Sequence, residues 1–239
     1  MYNLDNFKTR LKELNIELNE NQINQFIQYY DLLIEWNSFM NLTAITEWED
    51  VILKHFIDSL AIVKVLKMTD VSYSLLDMGT GAGFPGIPIK IAFPNIKVVL
   101  ADSLNKRVNF LNKVIDDLGL NDICAIHSRA EDLAKNKEYR ESFDLVVSRA
   151  VAKLSILTEY CLPFVKLDGQ FICYKSVNVY DEYDEAKNAI NILGGGDINN
   201  VSFNLPLSDL PRNLFCIKKI KITPNKYPRK AGVPAKEPL

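Results

Sequence analysis

From Tyr73 onward the chain alternates short apolar runs with helical stretches, and this alternation narrows its fold more than any other feature. SLLDM (74–78), KVVLAD (97–102), ICAIHS (123–128), FDLVVS (143–148) and GQFICYK (169–175) read as strands. Helical stretches near 86–92, 105–118, 131–136 and 151–165 fall between them, with Asp168-Gly169 marking the turn before the fifth strand. Strands spaced this way pair in parallel, and the crossing helices cover both faces of the sheet. After a helix around 181–192 and the turn Gly194-Gly195-Gly196, NNVSFNLP and NLFCIKKIKI follow with no helical pattern between them. They predict an antiparallel hairpin that closes one edge of a seven-stranded, mostly parallel α/β sheet.

Upstream, residues 1–70 form an expected helical extension. In QINQFIQYYDLLIEW the apolar positions Ile23, Phe26, Ile27, Tyr30, Leu33 and Ile34 recur at three- and four-residue steps, with Asn19 and Gln22 placed as a cap. EDVILKHFIDSLAIVKVL repeats the pattern, and SFMNLTAIT connects the two. Residues 71–222 hold the sheet. Residues 223–239 are a basic, proline-rich tail expected on or beside the active-site face.

In a parallel sheet, ligands bind beyond the carboxyl ends of the strands, where the first turn here reads Asp77-Met78-Gly79-Thr80-Gly81-Ala82-Gly83-Phe84-Pro85-Gly86. From Gly81 it satisfies G-x-G-x-x-G, which leaves a nucleotide-dependent oxidoreductase open. A dinucleotide brings a pyrophosphate to free amides at the following helix start. This chain instead places a carboxylate just before the loop and a proline, with no N–H, at the helix start. Both disfavour phosphate and favour S-adenosylmethionine, which carries an ammonium and a sulfonium. Asp102, ending the second strand, accepts from ribose hydroxyls in either case. The expected fold is therefore a Rossmann-like class I S-adenosylmethionine-dependent methyltransferase. Asp77, Gly79, Gly81, Gly83 and Asp102 are its first cofactor-site candidates, with a local cap or salt bridge the alternative for Asp77.

Of 239 residues, 48% are hydrophobic and 24% charged, which excludes wholesale disorder and fibrous classes. No apolar run reaches the roughly 18 to 20 residues a spanning helix needs, and the N-terminus has no secretory signal, so a cytoplasmic protein is expected. Four scattered cysteines and two histidines indicate neither disulfides nor a metal centre. The net charge of −2 argues against a polyanionic partner, but KKIKITPNKYPRK (218–230) carries six cations and no acid. Local potential governs where a polyanion docks. A solvated basic tail is the alternative.

DMGTGAGFPGIPIKIAFP, DSLNKRVNFL, SRAEDL, FDLVVSRAVAKL and YPRKAGVPAKEPL, with WNSFMNLTAIT and KHFIDSL upstream, resemble the RsmG (GidB) family of bacterial 16S ribosomal RNA guanine-N7 methyltransferases. The resemblance covers nearly the whole chain. It implies methyl transfer from S-adenosylmethionine to N7 of one guanine in the 530 loop, with 16S rRNA or the small ribosomal subunit as partner. On matching positions it implies cofactor contacts at Gly79, Phe84, Ala130, Glu131 and Arg149. A non-catalytic rRNA-binding assembly factor that keeps the cofactor pocket is a further alternative.

N7 of guanine has a lone pair and no proton to lose, so no catalytic base is expected, only positioning and exclusion of water. Glu131 otherwise reads as a solvated acid in a helix's first turn. Arg149 is expected to face the methionine carboxylate or an RNA phosphate, or else to pair with Asp144 or Glu159. His55, Asp58 and Ser59 share a helix face, where a surface pair is the commoner outcome. Lys226, Arg229, Lys230 and Lys236 are the candidates for rRNA phosphates. Nothing in the composition calls for more than a monomer.

Overall fold

A computed structural model describes residues 2–149, 152–176 and 180–239. The strands are β1 (Ser74–Met78), β2 (Lys97–Asp102), β3 (Ile123–His127), β4 (Phe143–Ser148), β5 (Val165–Lys175), β6 (Gly195–Asn204) and β7 (Pro211–Lys219). They form one sheet of order β3-β2-β1-β4-β5-β7-β6, parallel through β5, with β7 antiparallel to both β5 and β6. The order reverses between β1 and β4, which puts a crevice at their carboxyl ends.

β1, β2 and β4 match the apolar runs, because buried parallel strands must be apolar on both faces. β5 differs: it begins at Val165, and Asp168, at φ +65°, lies inside it. The register with β4 shifts between Phe143 and Leu145, so Asp168-Gly169 forms a bulge, not a turn ahead of the strand. Gly195 and Gly196, expected in a turn, already belong to β6. The helix expected from residue 151 is described from Leu154 to Cys161, its anticipated start lying outside the described residues.

The helices are α1 (Leu4–Glu13), α2 (Glu20–Met40), α3 (Trp48–Val51), α4 (Asp58–Leu60), α5 (Gly86–Ala92), α6 (Asn105–Asp117), α7 (Ala130–Leu133), α8 (Leu154–Cys161), α9 (Tyr180–Ile192) and α10 (Val233–Lys236). α2 opens on the anticipated capping box: the Asn19 side chain accepts from the Gln22 N–H while Gln22 Oε1 accepts from the Asn19 N–H. Gln22 Nε2 also donates to the carbonyls of Ile91 and Ala92, so the cap of one helix satisfies the end of another. Phe26, Tyr29 and Phe56 pack beneath Phe84, fixing the helical extension to the glycine loop.

Between α3 and α4 the backbone widens into a π-helical stretch, Ile52–Ile57, a feature that the 3.6-residue periodicity conceals. It carries His55 to the end of β4. Among the described residues no helix is long and apolar enough to cross a membrane, no cluster suits a metal ion, and the four cysteines are free.

Candidate active site

Beyond the carboxyl ends of β1 to β4 lies a cavity of about 430 Å³. Met78 and Gly79 at the end of β1, Asp102 and Ser103 at the end of β2, and Ala130 and Glu131 of α7 line it. Leu157 and Tyr160 of α8 supply an apolar wall, and Gly232 of the tail also lines the cavity. Arg107 and Arg129 also line it, cations that the glycine pattern does not reveal. Both carboxylates in the wall are engaged by backbone amides. Asp102 accepts from the N–H groups of Gly81 and Leu104, each at 2.9 Å, and Glu131 accepts from that of Gly232 at 3.3 Å. Burial first, then the neighbouring carboxylates of Glu131 and Glu159, raises the pKa of the Tyr160 phenol, so this hydroxyl stays protonated as a donor at neutral pH.

Asp77 does not line the cavity. It lies fully buried under the loop, where Oδ2 accepts from Thr80 Oγ1 at 2.6 Å and from the Gly86 N–H at 2.8 Å. The amides of Gly83 and Phe84 turn back to the Thr80 carbonyl. The N–H groups at the start of α5, where a pyrophosphate would sit, are thus occupied from within the protein. Burial pushes the Asp77 carboxyl up to about 6, against the lowering effects of Thr80, Gly86 and Arg149.

The remaining candidates divide. Gly79, Asp102, Ala130 and Glu131 meet in the cavity; Gly81, Gly83, Phe84 and Arg149 are absent from its lining. Phe84 and Arg149 join a second cluster instead. The Arg149 guanidinium lies 5.0 Å above the Phe84 ring, and the His55 ring stacks on Phe84 at 4.5 Å. Arg149 donates to Asp58 Oδ2 at 3.1 Å, to the Lys54 carbonyl and to His55 Nδ1. It pairs with neither Asp144 nor Glu159, which take Ser74 and Arg229 respectively. The His55-Asp58 face is therefore no surface pair: Asp58 and Ser59 are buried.

Arginine only donates, so His55 Nδ1 must accept, and its Nε2–H donates to Thr43 Oγ1 at 2.9 Å. Burial and the Arg149 charge push the His55 pKa down to about 3. Asp58 Oδ1 meanwhile accepts from Arg212 Nε at 3.0 Å. One buried carboxylate thus joins the helical extension, the end of β4 and β7. The i, i+3 spacing of His55 and Asp58 hinted at this cluster, but nothing near Arg212 or Thr43 in the sequence did.

Arg229, expected on RNA, is held by Glu159, whereas Lys226, Lys230 and Lys236 are exposed. Tyr160 and Gly232 are brought to the cavity by tertiary packing and carry no local signal.

Two glycines separate loop strain from cavity filling. At Gly83, φ is +99° and an added Cβ would lie 2.5 Å from Ile87 Cδ1 and 2.7 Å from Tyr29 Oη. Gly83→Ala is expected to cost about 2–3 kcal/mol in urea unfolding, from strain and overpacking together. At Gly79, φ is +71° with nothing within 4 Å of an added Cβ. Gly79→Ala should cost only about 1 kcal/mol, and its methyl should be felt mainly by whatever occupies the cavity.

This sheet, with its reversed last strand and a crevice at the switch point, has the Rossmann-like fold of the class I methyltransferases. Solved structures sharing the fold include a methyltransferase from Pyrococcus furiosus, at 13% identity and a TM-score of 0.55, covering 85% of this chain and 100% of that one. Another is the YcgJ protein of Bacillus subtilis, at 14% identity and a TM-score of 0.52, covering 70% and 100%. At such identities the likeness is one of fold alone.

Sequence relatives go further. The GidB family profile, described as rRNA small subunit methyltransferase G, matches residues 22–209. Ribosomal RNA small subunit methyltransferase G of Lachnoclostridium phytofermentans is 57% identical over 96% of this chain and 94% of its own length. The protein of the same description from Desulforamulus reducens is 57% identical over 97% and 96%. The chain belongs to the GidB family of small-subunit ribosomal RNA methyltransferases.

Proposed function

We propose that this chain transfers the methyl group of S-adenosylmethionine to N7 of a guanine in the 530 loop of 16S ribosomal RNA. The reading rests on family membership together with one observation: Asp77 occupies the first amide of α5, so the glycine loop offers no phosphate subsite. The cavity suits the cofactor. Its apolar wall at Leu157 and Tyr160 fits an adenine, Asp102 lies where ribose hydroxyls need an acceptor, and the open space over Gly79 admits a ligand against the backbone. When bound, the sulfonium supplies an electrophilic methyl group.

The chain's own contribution is to hold that group in line with N7 and keep water out. N7 has no proton to surrender, and the two carboxylates of the cavity wall are both tied to backbone amides, so neither stands free as a base. An oxidoreductase would need a seat for a pyrophosphate, and the loop has none. Incubation with labelled S-adenosylmethionine and either naked 16S rRNA or assembled small subunits tests the assignment. Label recovered as 7-methylguanine from the 530 loop is the expected result. Cofactor binding without transfer would instead indicate a non-catalytic assembly factor.

The exposed Lys226, Lys230 and Lys236 provide the approach for the RNA backbone. Replacing Lys226 and Lys230 by glutamine should flatten the plot of log affinity against log salt by about 1.4 to 1.8 units, somewhat under one counterion for each phosphate that goes without its lysine. An unchanged slope would remove these lysines from the interface. Action on cytoplasmic ribosomal particles, as a monomer, completes the proposal.

A further inference from the structure

β7 runs antiparallel to β5, so the chain leaves the sheet at the edge opposite the cavity, yet Gly232 lines the cavity. The segment between is held at fixed points. Arg140 donates to the carbonyls of Thr223, Pro224 and Tyr227, and Glu141 accepts from the Thr223 N–H. Further along, Glu159 on α8, 1% exposed, takes both the backbone N–H and the guanidinium of Arg229, at 2.6 to 3.2 Å. Three residues on, the Gly232 N–H reaches Glu131 Oε1.

We propose that Arg229 is a positioning residue for the cofactor cavity: through Glu159 it holds residues 229–232 as the cavity's outer wall and presents the Gly232 amide to Glu131. The proposal rests on the reading that this cavity takes S-adenosylmethionine. Glu159 stands on α8 between Leu157 and Tyr160, which both face the cavity, so the Arg229 anchor and the apolar wall share one turn of helix. An RNA phosphate that drew Arg229 away would leave a buried carboxylate without its partner, a costly exchange. Arg229 is thereby separated from Lys226 and Lys230, its exposed neighbours in the basic segment. By linkage, whatever strap docking adds to cofactor affinity, cofactor binding returns to strap docking.

The test uses the full chain without RNA. Affinity for S-adenosylhomocysteine is measured by calorimetry for the wild type, Arg229→Ala, Arg229→Lys, Glu159→Gln and, as a charge-matched control, Lys221→Ala at an exposed site. Arg229→Ala should bind about tenfold more weakly, equivalent to roughly 1.4 kcal/mol. Arg229→Lys should fall between it and the wild type, and the control should be unchanged. S-adenosylhomocysteine should also slow carboxypeptidase trimming of the wild-type tail and fail to do so in Arg229→Ala. Thermal unfolding without ligand establishes that each variant folds; if Arg229→Ala does not, Arg229→Lys and Glu159→Gln carry the comparison. Wild-type affinity and tail protection in folded Arg229 and Glu159 variants would overturn the inference alone. Failure of the wild type to bind S-adenosylhomocysteine would overturn the cofactor reading, and this inference with it.

Discussion

Asp58→Ala is expected to lower the free energy of unfolding by about 3–5 kcal/mol, the scale for removing one partner of a buried ion pair. Asp58 is 4% exposed and accepts from two arginines on different elements, Arg149 at the end of β4 and Arg212 on β7. Its removal leaves two guanidiniums, each 16% exposed, facing one another without a counter-charge. Arg149 would also be deprived of the support that holds it over Phe84 and against His55. For a chain of this size the thermal midpoint should fall by roughly 10 °C. A drop below about 1 kcal/mol, the surface-pair scale, would show that solvent already screens the cluster.

Acidification from pH 7 to pH 4 should act on the fold through two opposed groups. His55 is pushed down to about 3, so between pH 6.5 and 3 the unfolded chain binds a proton that the folded one refuses, and stability falls. Asp77 is pushed up to about 6, so between pH 6 and 3.8 the folded chain takes up a proton first, and stability rises. At 1.36 kcal/mol for each unit, each contribution reaches the order of 3 kcal/mol by pH 4, and they largely offset. His55→Gln keeps an acceptor for Arg149 and a donor for Thr43, so its stability change over this range should be about 3 kcal/mol more favourable than the wild type's. Asp77→Asn should deviate by a similar amount in the unfavourable direction. Urea midpoints at the two pH values measure both. Differences between the proteins that do not vary with pH would mean that neither group titrates as assigned.

Much of this was legible in the sequence where local chemistry decides the outcome. Doubly buried parallel strands must be apolar throughout, so β1, β2 and β4 match their runs residue for residue. The Asn19–Gln22 cap is written in four residues and forms as written. What escaped depends on contacts between distant segments. The bulge at Asp168 exists because β5 is extended back to Val165 alongside Phe143, which no local signal encodes. A π-helical turn differs from an α-helical one by a single inserted residue, which apolar spacing over 49–66 does not resolve.

The site was half legible for the same reason. Positions that end strands, such as Asp102, or that follow within three residues, such as Gly79 and Ala130, must reach a cleft at the carboxyl edge of the sheet. Asp77 shows the limit. Its placement before three glycines reads as a charge facing a ligand, whereas its carboxylate is spent on Thr80 and the Gly86 amide beneath the loop. Arg149 was read against acids near in pattern, Asp144 and Glu159, while its partner came from ninety-one residues upstream. Arg229 had the composition of an RNA contact and the environment of an anchor.

Because the last strand points away from the cavity, the polypeptide must double back before the pocket has its outer wall. A nonsense mutation between the codons for Lys219 and Gly232 would leave all seven strands intact and remove Gly232. Such truncated proteins are expected to bind S-adenosylhomocysteine more weakly than the full chain, however late in the reading frame the stop falls.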